Sequence, residues 1–212
     1  MELEIQDVSK TLKGHMVLNH VSMTAQSGRI YAIVGKNGSG KTMLFRAVAG
    51  LMRPDSGEIC LDGKYLHKDY EVLPNLGIVL ENAGLYPELS GYENLKGLAE
   101  LKKKVSEKEI KLAITRVGLD PEDKRPVRKY SLGMKQRIVL AQAFMESPDV
   151  LLLDEPTNAL DEEGVELMRE EIKKERDRGA IILLASHNKE DIEALADEIY
   201  YMREGKLQKE AL

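Results

Sequence analysis

Eight consecutive residues, Gly35-Lys36-Asn37-Gly38-Ser39-Gly40-Lys41-Thr42, have the types and spacing to hold a polyphosphate. Amides at a helix N-terminus are unpaired and point the same way, so they bind anions. Side chains would block close approach, and Gly35, Gly38 and Gly40 carry none. Lys41 can reach the terminal phosphates as a point charge. The Thr42 hydroxyl suits Mg²⁺, a hard cation that takes oxygen ligands. Context decides between this and an ordinary glycine turn. The apolar run Ile30-Tyr31-Ala32-Ile33-Val34 before the loop reads as a buried strand, and Met43 to Ala49 after it reads as a helix closed by Gly50 and then Pro54.

A second group complements the first. Val150-Leu151-Leu152-Leu153-Asp154-Glu155 reads as a buried strand ending in two carboxylates, and parallel sheets bind ligands at their carboxyl edge. Asp154 is placed to hold Mg²⁺. Glu155, one residue on, is placed to polarise a water for attack on a γ-phosphate. Alone, Asp154-Glu155-Pro156 would pass as the cap of a strand; beside a phosphate loop the pair gains a role. Ala185-Ser186-His187 ends another core strand. A lone histidine there means little, but beside the other strand ends His187 could bond the γ-phosphate.

The elements that must position these residues follow from hydrophobic spacing. Leu3, Ile5, Val21, Met23 and Ala25 alternate with polar residues, as in two half-buried strands of an antiparallel layer. Gly57 to Leu61 reads as a strand before the turn pair Asp62-Gly63, and Leu76 to Leu80 as a short core strand. Cys60 falls in the first of these as a core residue. From about Gly84 to Pro148 the character turns helical: Tyr92 to Leu101, Ser106 to Val117, then a helix capped by Ser131 with Met134, Ile138, Ala141 and Met145 on one face. The α/β pattern resumes with the strand at Val150 and a helix from Glu162 to about Arg178, capped by Asp161 and followed by Gly179. Then come a strand at 180–185, a helix at 189–196 and a final strand from Glu198 to Met202. The expected fold is α/β: a phosphate-loop core with a mostly parallel sheet (1–83 and 149–212), an N-terminal antiparallel layer, and a helical insert (84–148).

Composition bounds the classes. The chain has 212 residues and a net charge of −5, which argues against nucleic-acid binding through a strongly basic surface. One cysteine excludes an intrachain disulfide and suits a reducing compartment. The start, Met1-Glu2-Leu3-Glu4, is acidic and unlike a signal peptide. The longest uncharged apolar run, about 180–185, is far below the roughly 20 residues that span a bilayer.

Taken in order, the loop at 35–42, Tyr130-Ser131-Leu132-Gly133-Met134-Lys135-Gln136-Arg137, the strand ending in Glu155, Asn158-Ala159-Leu160-Asp161, and His187 resemble an ABC-type ATPase over almost the whole chain. The resemblance implies a phosphate loop, signature motif, Walker B strand, D-loop and switch histidine. It also implies ATP and Mg²⁺ as ligands and two copies closed over two nucleotides, with Ser131, Leu132, Gly133 and Met134 of one facing the loop of the other. A separate membrane permease would dock between core and insert near Glu81 to Glu93, which places the chain in the cytoplasm, peripheral on the inner face of the membrane. Three positions depart from the family: Leu132 replaces the signature's first glycine, Met134 its glutamine, and Glu81 the Q-loop glutamine. The aromatic that stacks on adenine would fall at about Leu12, leaving Leu12 or Val17 for apolar contact. Leu80-Glu81, Gly84-Leu85-Tyr86-Pro87 and Gly91-Tyr92-Glu93-Asn94-Leu95 are similar to the bacitracin and lantibiotic-resistance branch, ATPase subunits of peptide-antibiotic exporters.

Three rivals fare worse. Asn188-Lys189-Glu190-Asp191 fits a guanine-reading pattern, but Asn188 is explained more simply as the cap of the next helix, with Asp191 at its third position. Non-transport ABC proteins of DNA repair or the ribosome carry paired halves or long coiled coils, absent from this single acidic half. A module that holds ATP without hydrolysis has no use for Glu155 and His187.

Overall fold

Three central strands are apolar along their lengths, save Arg29 and Asp154 at their ends, because both of their faces are covered. In the computed structural model, which describes residues 1–80 and 84–210, β3 (Arg29–Val34), β7 (Val150–Asp154) and β8 (Ile181–Ala185) lie side by side in a six-stranded sheet. Side chains alternate across such a sheet. Val150 and Leu152 enter one core with Ile181 and Leu183; Leu151 and Leu153 enter the other with Ile182 and Leu184. The strand order is β10-β9-β3-β8-β7-β6, with β6 at Leu76–Val79, β9 at Glu198–Arg203 and β10 at Lys206–Lys209. All neighbours are parallel except β9 and β10.

The first core is closed by an antiparallel layer, β2-β1-β4-β5 (β1 Glu2–Leu12, β2 His15–Gln26, β4 Ser56–Leu61, β5 Lys64–Tyr65), and by α1 (Lys41–Val48). Leu3, Ile5, Val21, Met23 and Ala25 face inward as their alternation predicts, and Cys60 is buried. The turn at Asp62-Gly63 has positive φ at both residues, 48° and 77°, the hairpin geometry that glycine eases.

Among the described residues three α-helices lie between β6 and β7 and cover the second core: α2 (Gly91–Lys102), α3 (Glu107–Arg116) and α4 (Leu132–Phe144). Ser90 and Ser106 begin α2 and α3 with reciprocal caps from Glu93 and Glu109. Ser131 caps α4 by accepting a hydrogen bond from the Met134 amide. α5 (Glu162–Asp177) and α6 (Lys189–Leu195) complete the chain's α-helices among the described residues.

One expectation needs correction. The strand at Glu198 is not the last: β10 follows it through a two-residue turn, Glu204 and Gly205, at φ 48° and 76°. β10 is short and mostly polar, with Leu207 its one apolar side chain, so alternation does not reveal it.

α3 and α5 are joined by a buried charge cluster. Arg116 donates to Glu171 (2.6 Å) and Glu175 (2.7 Å), and its guanidinium lies 5.6 Å from the Phe144 ring. Lys174 also reaches Glu171, and Arg178 reaches Glu175 and the Pro148 carbonyl. Burial alone would raise the Glu171 carboxyl, but the hydrogen bonds from Lys174 and Arg116 outweigh it and hold it below the usual range. A depressed folded value stabilises above the unfolded value and is lost as pH falls through the folded one. Arg116→Met therefore should lower stability at neutral pH by about 2 kcal/mol and flatten its acid dependence. Urea unfolding at neutral and mildly acidic pH measures both; unchanged curves would mean that Lys174 and Arg178 suffice.

Candidate active site

The carboxyl edge of the parallel sheet gathers the reactive residues. The register aligns Ile33 with Ala185 and Asp154 with Ala185, so the loops after β3, β7 and β8 leave the sheet at one level. The loop Gly35–Gly40 leads into α1 with Gly40 at φ 114°. A Cβ at Gly35 would lie 2.4 Å from the Met202 carbonyl oxygen and 2.6 Å from Ser39 Oγ. One at Gly40 would lie 2.7 Å from the Val17 carbonyl oxygen. Glycine is therefore demanded by contact as well as by conformation. Lys41 is buried at the loop's centre, donating to the carbonyls of Gly35 (2.7 Å) and Lys36 (3.4 Å). Ser39 Oγ is buried with no hydrogen-bond partner among the described residues.

Thr42 Oγ1 donates to Asp154 Oδ2 at 2.5 Å, joining the start of α1 to the end of β7. Two hard oxygen donors so close together suit Mg²⁺. Glu155 follows at φ 50°, a conformation few non-glycine residues adopt, while its amide extends the ladder to the Ala185 carbonyl (2.8 Å). Its carboxylate is nearly buried and lies 2.8 Å from Nδ1 of the exposed His187. A carboxylate only accepts, so Nδ1 donates and Nε2 is left for another partner.

Val17, Asn37, Lys41, Thr42, Arg46 and Asp154 line a cavity of about 500 Å³ that Glu155 also borders. Of the two apolar candidates, Val17 borders it and Leu12 does not. The residues at 131–134 line a different cavity of about 610 Å³, with Ala159 and Asp161. Residues 131–134 and the loop at 35–42 thus line different cavities, although Leu132 also borders a third with Asp154 and Glu155. Leu132 is 71% exposed, whereas a Cβ at Gly133 would lie 2.7 Å from the Ala159 carbonyl oxygen. Asp161 caps α5 through the Gly164 amide (3.0 Å) and accepts from Arg137 (2.7 Å). Those two bonds, the amide's first, hold its carboxyl below the usual range. Gln136 donates to the Pro156 carbonyl at 3.1 Å. Nothing in residue type marked Gln136 and Arg137 for these contacts, since both partners lie about 20 residues further along the chain. The Glu81 position lies outside the described residues.

Asn188 caps α6 as expected, accepting from the Glu190 amide at 2.9 Å. Asp191 does not turn back to complete that cap. It is fully buried and bonded to Thr157 and Arg169, which offer it stronger donors than the helix end. A carboxylate so engaged cannot read guanine, which removes the GTPase pattern.

A family model described as ABC transporter matches residues 18–158. The chain belongs to this family. The ABC transporter ATP-binding protein YybJ of Bacillus subtilis, itself uncharacterized, is 45% identical over 206 residues, 97% of this chain and 94% of the relative. The lantibiotic transport ATP-binding protein SrtF of Streptococcus pyogenes is 39% identical over 97% of this chain and 88% of its own length. The bacitracin transport ATP-binding protein BcrA of Bacillus licheniformis is 36% identical, over 98% and 69%. Among solved structures, the dimeric ABC transporter cassette MJ0796 superposes with a TM-score of 0.90 at 23% identity, covering 99% of this chain and 98% of that one. An ATP-binding subunit of an ABC transporter superposes at 0.88 with 28% identity, over 100% and 90%. The cassette binds ATP and is an ATPase, as its family is.

The crowding at Gly40 yields a prediction without nucleotide. Gly40→Ala forces a side chain into the left-handed region against the Val17 carbonyl. It should destabilise the free cassette by about 1–3 kcal/mol, read from thermal unfolding. An unchanged melting temperature would mean that the loop shifts at no cost.

Proposed function

We propose that this cassette hydrolyses ATP to power a separate membrane permease, in export of a peptide antibiotic or a similar compound. The observation that carries the chemistry is the 2.8 Å contact between Glu155 and His187, set beside Thr42, Asp154 and Lys41 at one sheet edge. Lys41 and the amides at the start of α1 hold the phosphates. Thr42 and Asp154 would hold Mg²⁺, which when bound would supply charge neutralisation to the phosphates. Glu155 orients water and takes up its proton. His187 contacts the γ-phosphate through the nitrogen that Glu155 leaves available.

Two copies close over two nucleotides in this scheme. That residues 131–134 line a cavity other than that of the loop at 35–42 supports it: in this scheme Ser131, Leu132, Gly133 and Met134 meet the phosphate held by the other copy. The exposed N-terminus of α4 suits an anion, and Asp161 lines the same face. The core, 1–83 with 149–212, and the insert, 84–148, act as two bodies whose relative motion passes to the permease. Apolar Leu51, Ile78, Leu85 and Leu98 line a groove of about 420 Å³ between them where the permease docks. No helix among the described residues is long and apolar enough to cross a membrane, which accords with a place on the inner, cytoplasmic face through that partner. The names of SrtF and BcrA support the peptide-antibiotic substrate. The acidic composition supports a function without nucleic acid.

Glu155→Gln should retain ATP binding and slow turnover by about 10² or more. In sedimentation it should pass from monomer to dimer on adding Mg-ATP. Undiminished turnover would remove Glu155 from the chemistry, and a variant that binds ATP but stays monomeric would remove the paired arrangement. Lys41→Ala should weaken nucleotide binding itself; full affinity in that variant would count against the loop.

A further inference from the structure

Three elements meet at one carboxylate that the chemistry above does not use. Asp191, fully buried at the third position of α6, has both oxygens engaged. Oδ2 accepts from Thr157 Oγ1 at 2.5 Å, and Oδ1 accepts from Arg169 Nε of α5 at 2.8 Å. Arg169 Nη2 lies 2.6 Å from the same Oδ1 but without hydrogen-bond alignment, and Nη1 bonds Glu166 at 2.5 Å. Thr157 and Arg169 are themselves buried.

The position of these residues along the chain matters more than their burial. Thr157 lies two residues after Glu155, in a tight turn where the Asn158 amide bonds the Glu155 carbonyl and the Leu160 amide bonds the Thr157 carbonyl (3.2 Å each). That turn holds two non-glycine residues at positive φ, Glu155 at 50° and Ala159 at 67°. Such conformations persist only where surrounding contacts enforce them. On the other side, Asp191 lies four residues after His187. The intervening chain is held by the Ser186 hydroxyl, which accepts from the Asn188 amide at 3.1 Å, and by the Asn188 cap. A bond from Thr157 to Asp191 therefore spans the base of both loops that carry Glu155 and His187.

We infer that Asp191 and Thr157 are positioning residues, whose bond fixes Glu155 relative to His187 and so sets the rate of the hydrolytic step, resting on the role proposed above for Glu155. A purely stabilising role is the alternative. A buried ion pair between Arg169 and Asp191 is satisfied without Thr157, so the threonine hydroxyl separates the two roles. Small displacements of a catalytic group cost rate steeply.

The test measures steady-state ATP hydrolysis by the full chain in Thr157→Val, Thr157→Ser, Glu155→Gln and the double variant Glu155→Gln/Thr157→Val. Valine keeps the shape and removes only the hydroxyl. Thr157→Val should lower kcat about tenfold with KM for ATP within about twofold, and Thr157→Ser should restore it. In the Glu155→Gln background the valine should cost nothing more, because the group it positions no longer acts. Turnover in Thr157→Val within twofold of the parent would overturn the inference. So would an equal further loss in the Glu155→Gln background, which marks a general structural defect. Loss in Glu155→Gln with full activity in Thr157→Val would overturn the positioning role alone. Undiminished activity in Glu155→Gln would overturn the role of Glu155 and the positioning with it.

Discussion

The alignment of three parallel strands, β3 against β8 and β8 against β7, sets where every reactive group in this molecule lies. Ile33, Ala185 and Asp154 are level across the sheet, so the phosphate loop, the two carboxylates and His187 leave it together. A slip of one residue would turn each side chain to the opposite face. It would also move Val150 and Leu152 out of the core that they share with the antiparallel layer. Burial on both faces makes that slip costly. The continuous apolar runs that mark these strands are therefore what keeps Thr42 within 2.5 Å of Asp154.

Much of this edge was legible in the chain because it is written locally. A glycine loop between an apolar run and a helix, and a strand ending in Asp154-Glu155, are contiguous patterns whose physics does not depend on distant residues. The caps by Ser131, Asp161 and Asn188 were legible for the same reason. β10 was not, because a short polar hairpin strand carries almost no hydrophobic signal. The buried charge clusters were hidden by a different cause. Glu171, Glu175 and Arg169 sit in a helix dense with acids and bases, where composition assigns such residues to solvent. Their partners, Arg116 and Asp191, are 22 to 59 positions away. Spacing along a helix gives a face, but it cannot tell that the face meets a second charged surface. Asp191 shows the limit well: its place in α6 suited a cap, and the tertiary contacts to Thr157 and Arg169 took its carboxylate instead.

The same reasoning separates Gly133 from its neighbour Leu132, one of the two departures in the signature segment. Gly133 cannot carry a side chain, because the Ala159 carbonyl occupies the space that its Cβ would need, and Ala159 is itself held at positive φ. That close approach ties the start of α4 to the turn after Glu155, and Gln136 and Arg137 reinforce it through Pro156 and Asp161. Leu132, one residue earlier, projects into solvent. The fold tolerates leucine there at little packing cost, since most of its surface is exposed. The replacement changes an exposed position while leaving untouched the contacts that hold the start of α4 in place.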